Sequence, residues 1–430
     1  MKINSYFHKT LRNYARYYCL QNEKLIEVIG SGKGSVKPDA HIARVEVKGR
    51  ITDDALLKIE GVPSRIILLN GIVHELDDIQ NDLEELKTRL HADHRVLIVY
   101  YSKLWRPLVK LAAFLGMTSR PSSDNWVTHA DINNLCKLSG FELIKSDKKV
   151  IVPIWIPLLS GFFNKFLVNL PIYRHLAMAN IALIRPIFPK NINSVTIVVP
   201  ARNESGNIDD ILRRIPKMSD HDEVIFVEGN STDDTWDKIQ SVQGKSYPFE
   251  LSCYQQPGKG KADAVRVGFG HAKGDILMIL DADMTVPPEE LPKFYRAITS
   301  GLGEYINGSR MIYPMESKAM RFFNILGNRF FAAAFSYVLG ERFRDTLCGT
   351  KVMTRSHYNQ LISNRSYFGE FDPFGDFDLI FGANKLGLKT IEVPIRYRDR
   401  LYGSTNISRW KHGVILLRML IFASRKIKFK

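Results

Sequence analysis

The sequence Ile-Leu-Met-Ile-Leu-Asp-Ala-Asp at residues 276–283 decides the fold of the C-terminal half of this chain. Its five apolar residues predict a buried strand, and the carboxylates of Asp281 and Asp283 follow where that strand ends. Side chains alternate along a strand, so these two can point the same way and face one hard divalent cation, Mg²⁺ or Mn²⁺. An Asp-x-Asp pair alone is a weak motif, and a surface turn before Pro287 is the alternative.

Three more polar loops follow apolar, strand-like runs in the same half of the chain. They are Pro-Ala-Arg-Asn-Glu at residues 200–204, Glu-Gly-Asn-Ser-Thr-Asp-Asp-Thr at 228–235, and Gly-Lys-Gly-Lys-Ala-Asp-Ala at 258–264. Open α/β sheets bind ligands at the carboxyl ends of their strands. Glycines and helix N-termini in such loops, together with Lys259 or Lys261, favour a diphosphate, although each loop alone could be an ordinary turn.

The ordered set of four motifs resembles the GT-A fold family 2 glycosyltransferases, especially the dolichyl- or polyprenyl-phosphate sugar synthases. The resemblance covers about residues 194–408. It implies a GT-A nucleotide-sugar-binding domain in which Asp281 and Asp283 hold the metal. The donor-binding residues that it implies are Pro200, Ala201, Arg202, Glu204, Glu228, Asn230, Asp233, Lys259, Lys261, Asp263 and Asp281, with Arg400 and Ser404 from a segment that closes over the donor.

The resemblance also implies the catalytic groups, which are Asp283, Arg310, Asp376 and Asp378. Arg310 is the candidate ligand of an acceptor phosphate, and Asp376, then Asp378, is the candidate base for a hydroxyl acceptor. A phosphate acceptor arrives ionised and needs no base, whereas a hydroxyl must lose its proton. The resemblance implies an inverting transfer to a polyprenyl phosphate, with a hydroxyl of a growing cell-surface glycan as the alternative.

Two positions depart from the family pattern. Thr285 stands where the dolichyl-phosphate enzymes often have a glutamine, and Asn406 replaces a lysine of the closing segment. These departures leave the sugar and the nucleotide, UDP or GDP, undetermined.

The N-terminal half alternates strand-like and helix-like patterns, which predicts a second, Rossmann-like α/β layer. Residues 25–34 end in Gly-Ser-Gly-Lys-Gly and resemble the glycine-rich first turn of class I S-adenosylmethionine methyltransferases. About ten residues separate Gly34 from the next predicted strand, which is too few for the usual helix and loop. We therefore predict an incomplete, inactive methyltransferase-like domain at residues 1–153, with a bifunctional methyltransferase–glycosyltransferase as the alternative.

Two remaining segments are candidates for contact with a membrane surface. Residues 154–193 are predicted to be an apolar connecting segment, with a membrane-surface element as the alternative, and residues 194–407 are the predicted transferase domain. Residues 408–430 form a basic tail that also contains apolar residues, and residues 396–430 hold ten basic and one acidic residue. This pattern predicts an interfacial helix on anionic lipid, or alternatively packing on the transferase sheet.

Composition limits the remaining function classes. The 430 residues carry a net charge of +15, four scattered cysteines and no run of eighteen apolar residues. We expect no transmembrane helix, no secretory signal and no disulfide framework. The expected partners are a nucleotide-sugar donor, a lipid phosphate and an anionic membrane surface, but no nucleic acid. The expected location is cytoplasmic, peripheral on the inner face of the cell membrane.

Overall fold

The computed structural model describes residues 3–30, 39–114, 125–189, 192–313, 322–365, 377–400, 402 and 409–429. The chain forms two compact units, each with its own sheet. Unit 1 comprises Met1–Phe188 and Ser424–Lys430, and unit 2 comprises Pro189–Ala423. The mixed α/β class predicted from the sequence is confirmed.

Unit 1 contains a six-stranded sheet in the order β2-β1-β3-β4-β6-β5, parallel except for β6, which runs antiparallel to β4 and β5. The strands are β1 (Leu25–Gly30), β2 (Ile42–Val47), β3 (Ile66–Asn70), β4 (Arg95–Tyr101), β5 (Phe141–Lys149) and β6 (Ala179–Pro186). The helices are α1 (Ile3–Ala15), α2 (Asp53–Glu60), α3 (Ile79–Thr88), α4 (Arg106–Phe114), α5 (His129–Leu138) and α6 (Leu159–Lys165). Because β1 lies between β2 and β3, the strand order reverses beside Gly30, where open sheets bind ligands.

Strand β6 differs from the sequence prediction, which treated all of residues 154–193 as a connecting segment. Ala179–Pro186 is instead an inner strand of the sheet, almost wholly buried. A strand covered on both faces is a continuous apolar run and lacks the alternation that identifies half-buried strands.

Unit 2 contains a seven-stranded sheet in the order β13-β11-β12-β10-β7-β8-β9, in which β12 is antiparallel to both neighbours. The strands are β7 (Ser194–Ala201), β8 (His221–Glu228), β9 (Glu250–Gln255), β10 (Ile276–Ile279), β11 (Tyr305–Ser309), β12 (Lys351–Thr354) and β13 (Thr390–Pro394). The helices are α7 (Ile208–Arg214), α8 (Thr235–Val242), α9 (Lys261–His271), α10 (Leu291–Thr299), α11 (Phe322–Leu339), α12 (Arg355–Ser363), α13 (Phe377–Leu386) and α14 (Arg409–Ala423). The side chains of Ile197, Phe226 and Met278 are fully buried in its core, as their apolar runs predict.

After α14, a π-helical turn at Ser424–Lys428 returns the chain to unit 1. The side-chain amide of Asn169 donates to the Lys428 carbonyl at 2.9 Å, and the ring of Phe429 stacks on Phe166. Lys428 is 8% exposed, and burial lowers the pKa of its ammonium group to about 8. The prediction that the whole tail lies on lipid is therefore wrong for Lys428, which packs inside unit 1.

None of the helices in the described ranges is long and apolar enough to cross a membrane.

Candidate active site

The loops at the carboxyl ends of β7, β8 and β10 contain three non-glycine residues in the left-handed region. Asn203, Asn230 and Met284 have φ values of 56°, 57° and 57°. Asparagine tolerates this conformation, whereas for methionine it is costly. Such backbone is kept where the surrounding structure fixes it, commonly at functional sites.

Asp283 and Glu204 are joined by one arginine. The Arg400 guanidinium contacts Asp283 Oδ2 at 2.6 Å and Glu204 Oε1 at 3.2 Å. The hydroxyl and backbone N–H of Thr285 donate to the other oxygen of Asp283 at 2.8 and 3.1 Å. Two predicted donor-binding residues and the predicted metal ligand Asp283 therefore meet, and Thr285 orients the Asp283 carboxylate.

Asp281 is paired with Lys261, the first residue of α9, at 2.6 Å. Gly349 lies against this pair, because an ideal Cβ at Gly349 would overlap Asp281 Oδ2 and stand 2.5 Å from Lys261 Nζ. A side chain at position 349 would therefore have to displace the Asp281 carboxylate or the Lys261 ammonium group.

We expect Gly349→Ala to reduce transfer strongly, about 10²-fold, because the new methyl group must displace the Asp281 carboxylate or the Lys261 ammonium. Initial rates with saturating donor would measure the loss. Gly270→Ala, at a glycine with open space around it in α9, is the matched control and should leave the rate unchanged. Equal rates for the two variants would contradict the close approach.

The other predicted donor-binding residues line the same loops. Asn230 donates to the Gly258 carbonyl at 3.0 Å, and Asp263 accepts from the Gly258 N–H at 2.8 Å, so the second and third loops are joined. Asp233 accepts from the backbone and hydroxyl of Thr235. The remaining members of the set are Pro200 and Ala201 at the end of β7, the exposed Arg202 and Lys259, and Glu228 buried at the end of β8.

The Glu204 carboxyl group in this cluster has a strongly raised pKa. Burial raises its pKa to about 7, and the negative charge of Asp283 adds to that effect, while Arg400 opposes it. Asn207 donates to its Oε2 at 2.8 Å. Glu204 therefore changes charge near neutral pH in the absence of ligands.

The raised pKa of Glu204 predicts a pH-dependent stability. The folded state binds the Glu204 proton more tightly than the unfolded chain, so this contribution is complete below about pH 4.5 and is lost as the pH rises through about 7. We expect Glu204→Gln to remove this loss, raising the unfolding free energy at pH 8 relative to pH 5 by up to about 3 kcal/mol compared with wild type. Denaturant unfolding of metal-free protein measures it, with the exposed Glu84→Gln as control. Parallel pH profiles for wild type and Glu204→Gln would contradict the prediction.

The donor chemistry of Asp281 and Asp283 fits a hard divalent cation. Both are carboxylates with partly exposed side chains, and each already attracts a cationic group, Lys261 or Arg400. Within the described part of the chain, no three His, Cys, Asp or Glu residues form a metal-binding group. Mg²⁺ is usually held by one or two carboxylates together with water and substrate phosphates, which is the role that Asp281 and Asp283 would have.

Arg310 is held by a buried carboxylate. Its Nε and Nη2 donate to the two oxygens of Asp345 at 2.6 and 2.8 Å, and its guanidinium lies over the Tyr397 ring at 5.0 Å. Burial alone would raise the pKa of Asp345, but the charge of Arg310 lowers it to about 2. Asn328 also donates to Asp345, at 3.0 Å. Sequence reasoning singled out Arg310 but missed the pairing, which spans 35 residues.

One loop touches both halves of the site. Asp345 holds Arg310, and Gly349, four residues later, lies against Asp281. The Cys348 side chain fills the space above Gly308, just before Arg310. The predicted acceptor-side and donor-side groups are therefore positioned by the same short segment.

Asp378 is linked to the third loop through Arg266, whose guanidinium also lies 3.8 Å from Asp263 Oδ1. The Oδ2 of Asp378 is 3.4 Å from Arg365 and 3.8 Å from Arg266, so two guanidinium groups engage it. Asp376 and Ser404 lie outside the described residues. Tyr402, missed by sequence reasoning, packs its ring on Gly206, and its hydroxyl lies 3.2 Å from that of Ser205. An aromatic residue two positions after Arg400 was the available signal.

The comparisons with known proteins indicate a sugar-transferring enzyme. Residues 196–367 match the family model described as glycosyl transferase family 2. The matched residues lie in unit 2, and the protein is a glycosyltransferase. The transferase activity predicted from the sequence is confirmed.

Among the relatives, an undecaprenyl-phosphate 4-deoxy-4-formamido-L-arabinose transferase of Edwardsiella ictaluri is 25% identical over 239 residues, 54% of this chain and 67% of that protein. Glycosyltransferase AglJ of Haloferax volcanii is 29% identical, covering 52% of this chain and 70% of its own. A dolichol-phosphate mannosyltransferase of Pyrococcus furiosus is 34% identical over 120 residues, 27% of this chain and 33% of its own.

Among solved structures, glucosyl-3-phosphoglycerate synthase from Mycobacterium tuberculosis, in complex with Mn²⁺, UDP and glucosyl-3-phosphoglycerate, is similar over 55% of this chain and 80% of its own. The sequence identity is 18% and the TM-score is 0.40.

Proposed function

We propose that this glycosyltransferase moves a sugar, with inversion, from a nucleotide-sugar donor to a polyprenyl phosphate at the cytoplasmic face of a membrane. The observation that carries the proposal is a pair of ion pairs at the carboxyl end of β10. Asp281 pairs with Lys261, and Asp283 pairs with Arg400. This arrangement suits a metal and a diphosphate, which replace the internal ion pairs. Relatives whose names specify undecaprenyl or dolichol phosphate support the acceptor class.

The departure of a nucleoside diphosphate is the step that needs positive charge. When bound, Mg²⁺ or Mn²⁺ on Asp281 and Asp283 neutralises charge on the diphosphate. Lys261 and Arg400 stand at the same carboxylates and would donate charge-assisted hydrogen bonds to the phosphate oxygens. The N-terminus of α9, which begins at Lys261, adds backbone N–H groups and a favourable dipole.

Arg310 would position the acceptor. Nε and Nη2 of Arg310 both donate to Asp345, so the guanidinium is fixed, and Nη1 is the nitrogen that would be left to contact an acceptor phosphate. An ionised phosphate needs positioning, and a pre-oriented arginine costs little entropy when it binds. No carboxylate base is required on this route.

The alternative acceptor is a hydroxyl of a growing glycan, for which Asp376 or Asp378 would take the proton. The engagement of Asp378 by Arg365 and Arg266 weighs against Asp378 in that role. Asp376 would then be the base on this alternative.

Exposed apolar side chains on α11 and α14 support a peripheral membrane location for unit 2. Leu326 and Phe330 on α11 are 57% and 58% exposed, and Leu417 and Ile421 on α14 are 46% and 47% exposed. An apolar helix face accompanied by basic residues is typical of an element that lies in the lipid headgroup region.

A panel of UDP- and GDP-sugars, with and without Mn²⁺, tests the donor by thermal shift. One nucleotide should stabilise the protein only with metal, by about 2.7 kcal/mol at a hundredfold excess over its Kd. The product identifies the acceptor, because supplied undecaprenyl phosphate should become sugar-linked. Transfer to a glycan hydroxyl but not to the lipid phosphate would overturn the proposal.

For unit 1 we propose an inactive methyltransferase-like domain. At the strand reversal beside β1, an ideal Cβ on Gly30 would overlap the Glu75 carboxylate, and the Tyr101 hydroxyl crowds Gly71 in the same way. These side chains take up space beside the strand ends, where a cofactor of such a fold would bind.

We expect calorimetry of the full chain with S-adenosylmethionine to detect no binding, because the space beside Gly30 is filled by the unit's own side chains. The full chain is needed, since Ser424–Lys430 belong to unit 1. Micromolar binding would favour the bifunctional alternative.

A further inference from the structure

We propose that unit 1 docks on an anionic bilayer through an exposed apolar surface formed by Trp155, Leu158, Phe162, Phe166 and Ile172, here called the 154–176 surface. The inference rests on the proposed lipid-phosphate function, for which it supplies a second membrane contact. It concerns unit 1 alone and assigns a role to a segment outside the transferase domain.

The side chains of this surface are unusually exposed for their size. Leu158 is 94% exposed, Ile172 80%, and Phe162 and Trp155 53% each. Single exposed apolar residues are normal on a soluble protein, but several on one short segment mark an interaction site.

The segment is folded, and its exposed side chains form one of two distinct faces. Its inward face has a small core of its own, in which Val168 and Ala177 are each 1% exposed. Asn164 fixes the backbone, because its Oδ1 accepts from the N–H groups of Ile151 and Val152 at 2.7 and 2.9 Å. The outward residues are therefore presented by an ordered scaffold.

Leu158 is the central residue of a tight γ-turn, with φ 61° and ψ −45°, in which the Leu159 N–H donates to the Pro157 carbonyl at 2.7 Å. This hydrogen-bonded turn presents the Leu158 side chain with 94% of its surface exposed.

The charged residues around the 154–176 surface indicate what kind of partner it binds. The sequence has no acidic residue between Asp147 and Glu204, and Asp147 itself lies 3.5 Å from Lys149. Lys148 Nζ is 3.4 Å from the His175 ring, and Arg425 and Lys426 are exposed on the C-terminal turn of the same unit. An apolar surface with a cationic border matches an anionic lipid surface, whereas two copies of it would repel each other.

The start of α4 extends the surface. The indole N–H of Trp105, the residue just before α4, donates to the Leu176 carbonyl at 2.9 Å, which joins the start of this helix to the end of the segment. Leu108 and Leu111 on this helix are each 54% exposed. Tryptophan with a satisfied N–H and an apolar ring is typical of the membrane interface.

Flotation of the full chain with vesicles of phosphatidylglycerol and phosphatidylcholine tests the proposal. The triple variant Leu158→Ser, Phe162→Ser, Ile172→Ser should lower the partition coefficient roughly tenfold or more, since three exposed apolar groups lose their transfer free energy. The matched control is Leu57→Ser, Leu138→Ser, Leu302→Ser, which changes side chains 58%, 57% and 61% exposed elsewhere. This control should bind as wild type.

Further measurements test whether Trp155 contacts lipid, whether the basic residues contribute to binding, and whether vesicle binding is independent of sugar transfer. Brominated lipid should quench tryptophan fluorescence in wild type, and less so in Trp155→Phe. Arg425→Ala with Lys426→Ala should weaken binding to phosphatidylglycerol vesicles and reduce its salt dependence. In detergent with a soluble short-chain polyprenyl phosphate, the triple variant should keep wild-type transfer, so loss of vesicle binding and loss of the proposed function are distinguishable.

Three results would overturn the proposal. The first is that the folded triple variant binds vesicles as well as wild type, and the second is that the triple variant and its control lose vesicle binding equally. The third is that wild type forms a dimer, the triple variant is a monomer, and neither protein binds vesicles. The last would make a second copy of the chain the occupant of the surface.

Discussion

Replacing either Asp281 or Asp283 by alanine is expected to slow sugar transfer by about 10³-fold or more while the fold is kept. Each substitution removes a proposed oxygen ligand of the metal, and it also removes a carboxylate partner of Lys261 or of Arg400. Both carboxylates are partly exposed at a strand end, so the core is not disturbed. Initial rates with saturating donor and Mn²⁺, and circular dichroism of each variant, measure the two parts of this prediction.

Asp275→Ala is the matched control, because Asp275 lies at the other end of the same strand and pairs with Ser194 and Arg355. It should retain transfer. Donor-dependent thermal stabilisation by Mn²⁺ should disappear in the two site variants and persist in the control. Turnover at the wild-type rate in either site variant, or full activity in excess chelator, would show that this carboxylate pair does not hold a metal.

Arg310→Ala is expected to have the largest effect on stability, lowering the free energy of unfolding by about 3–5 kcal/mol. Asp345 is fully buried and carries the charge that Arg310 compensates, so removal of the guanidinium leaves an unpaired ion. Denaturant unfolding should show the loss as a lower midpoint. Because an unstable enzyme also transfers poorly, a second variant must separate stability from acceptor binding.

The double variant Arg310→Met with Asp345→Asn removes both charges and keeps an amide oxygen for Asn328 and for the Leu347 N–H. It should recover roughly half or more of the lost stability. Transfer to polyprenyl phosphate should stay low, because the nitrogen that we propose positions the acceptor is absent. Recovery of stability and transfer together would make Arg310 a structural residue only.

The choice of acceptor can be read from the same experiment. With a short polyprenyl phosphate, Asp376→Asn should be milder than Arg310→Ala, since no proton has to be removed. Loss of a general base typically costs about 10²–10⁴-fold. A dead Asp376→Asn enzyme beside an active Arg310→Met, Asp345→Asn enzyme would identify a hydroxyl acceptor.

Local patterns in the sequence were sufficient for the carboxyl ends of the strands. The apolar run before Asp281 formed strand β10, and the polar loops followed β7, β8 and β9 as predicted. Each of these features depends on neighbouring residues only, which is why a single sequence can reveal it.

Pairings between distant residues could not be predicted in the same way. Arg400 meets Asp283 across 117 positions, and Gly349 meets Asp281 only because β12 pairs with β10. Nothing in a single sequence specifies those partners. Strand β6 escaped detection for a different reason, since burial on both faces removed the alternation on which strand prediction relies.

The position of Ser424–Lys428 has a consequence for biosynthesis. Unit 1 is translated first, yet Asn169 and Phe166 receive partners, Lys428 and Phe429, that are synthesised only after the whole of unit 2. Domains usually fold as they leave the ribosome, N-terminal domain first. Here the first domain leaves the ribosome without its contacts to Lys428 and Phe429, so these contacts form late in maturation. A premature stop just before Ser424 would therefore remove contacts from unit 1, although most of that unit is synthesised first.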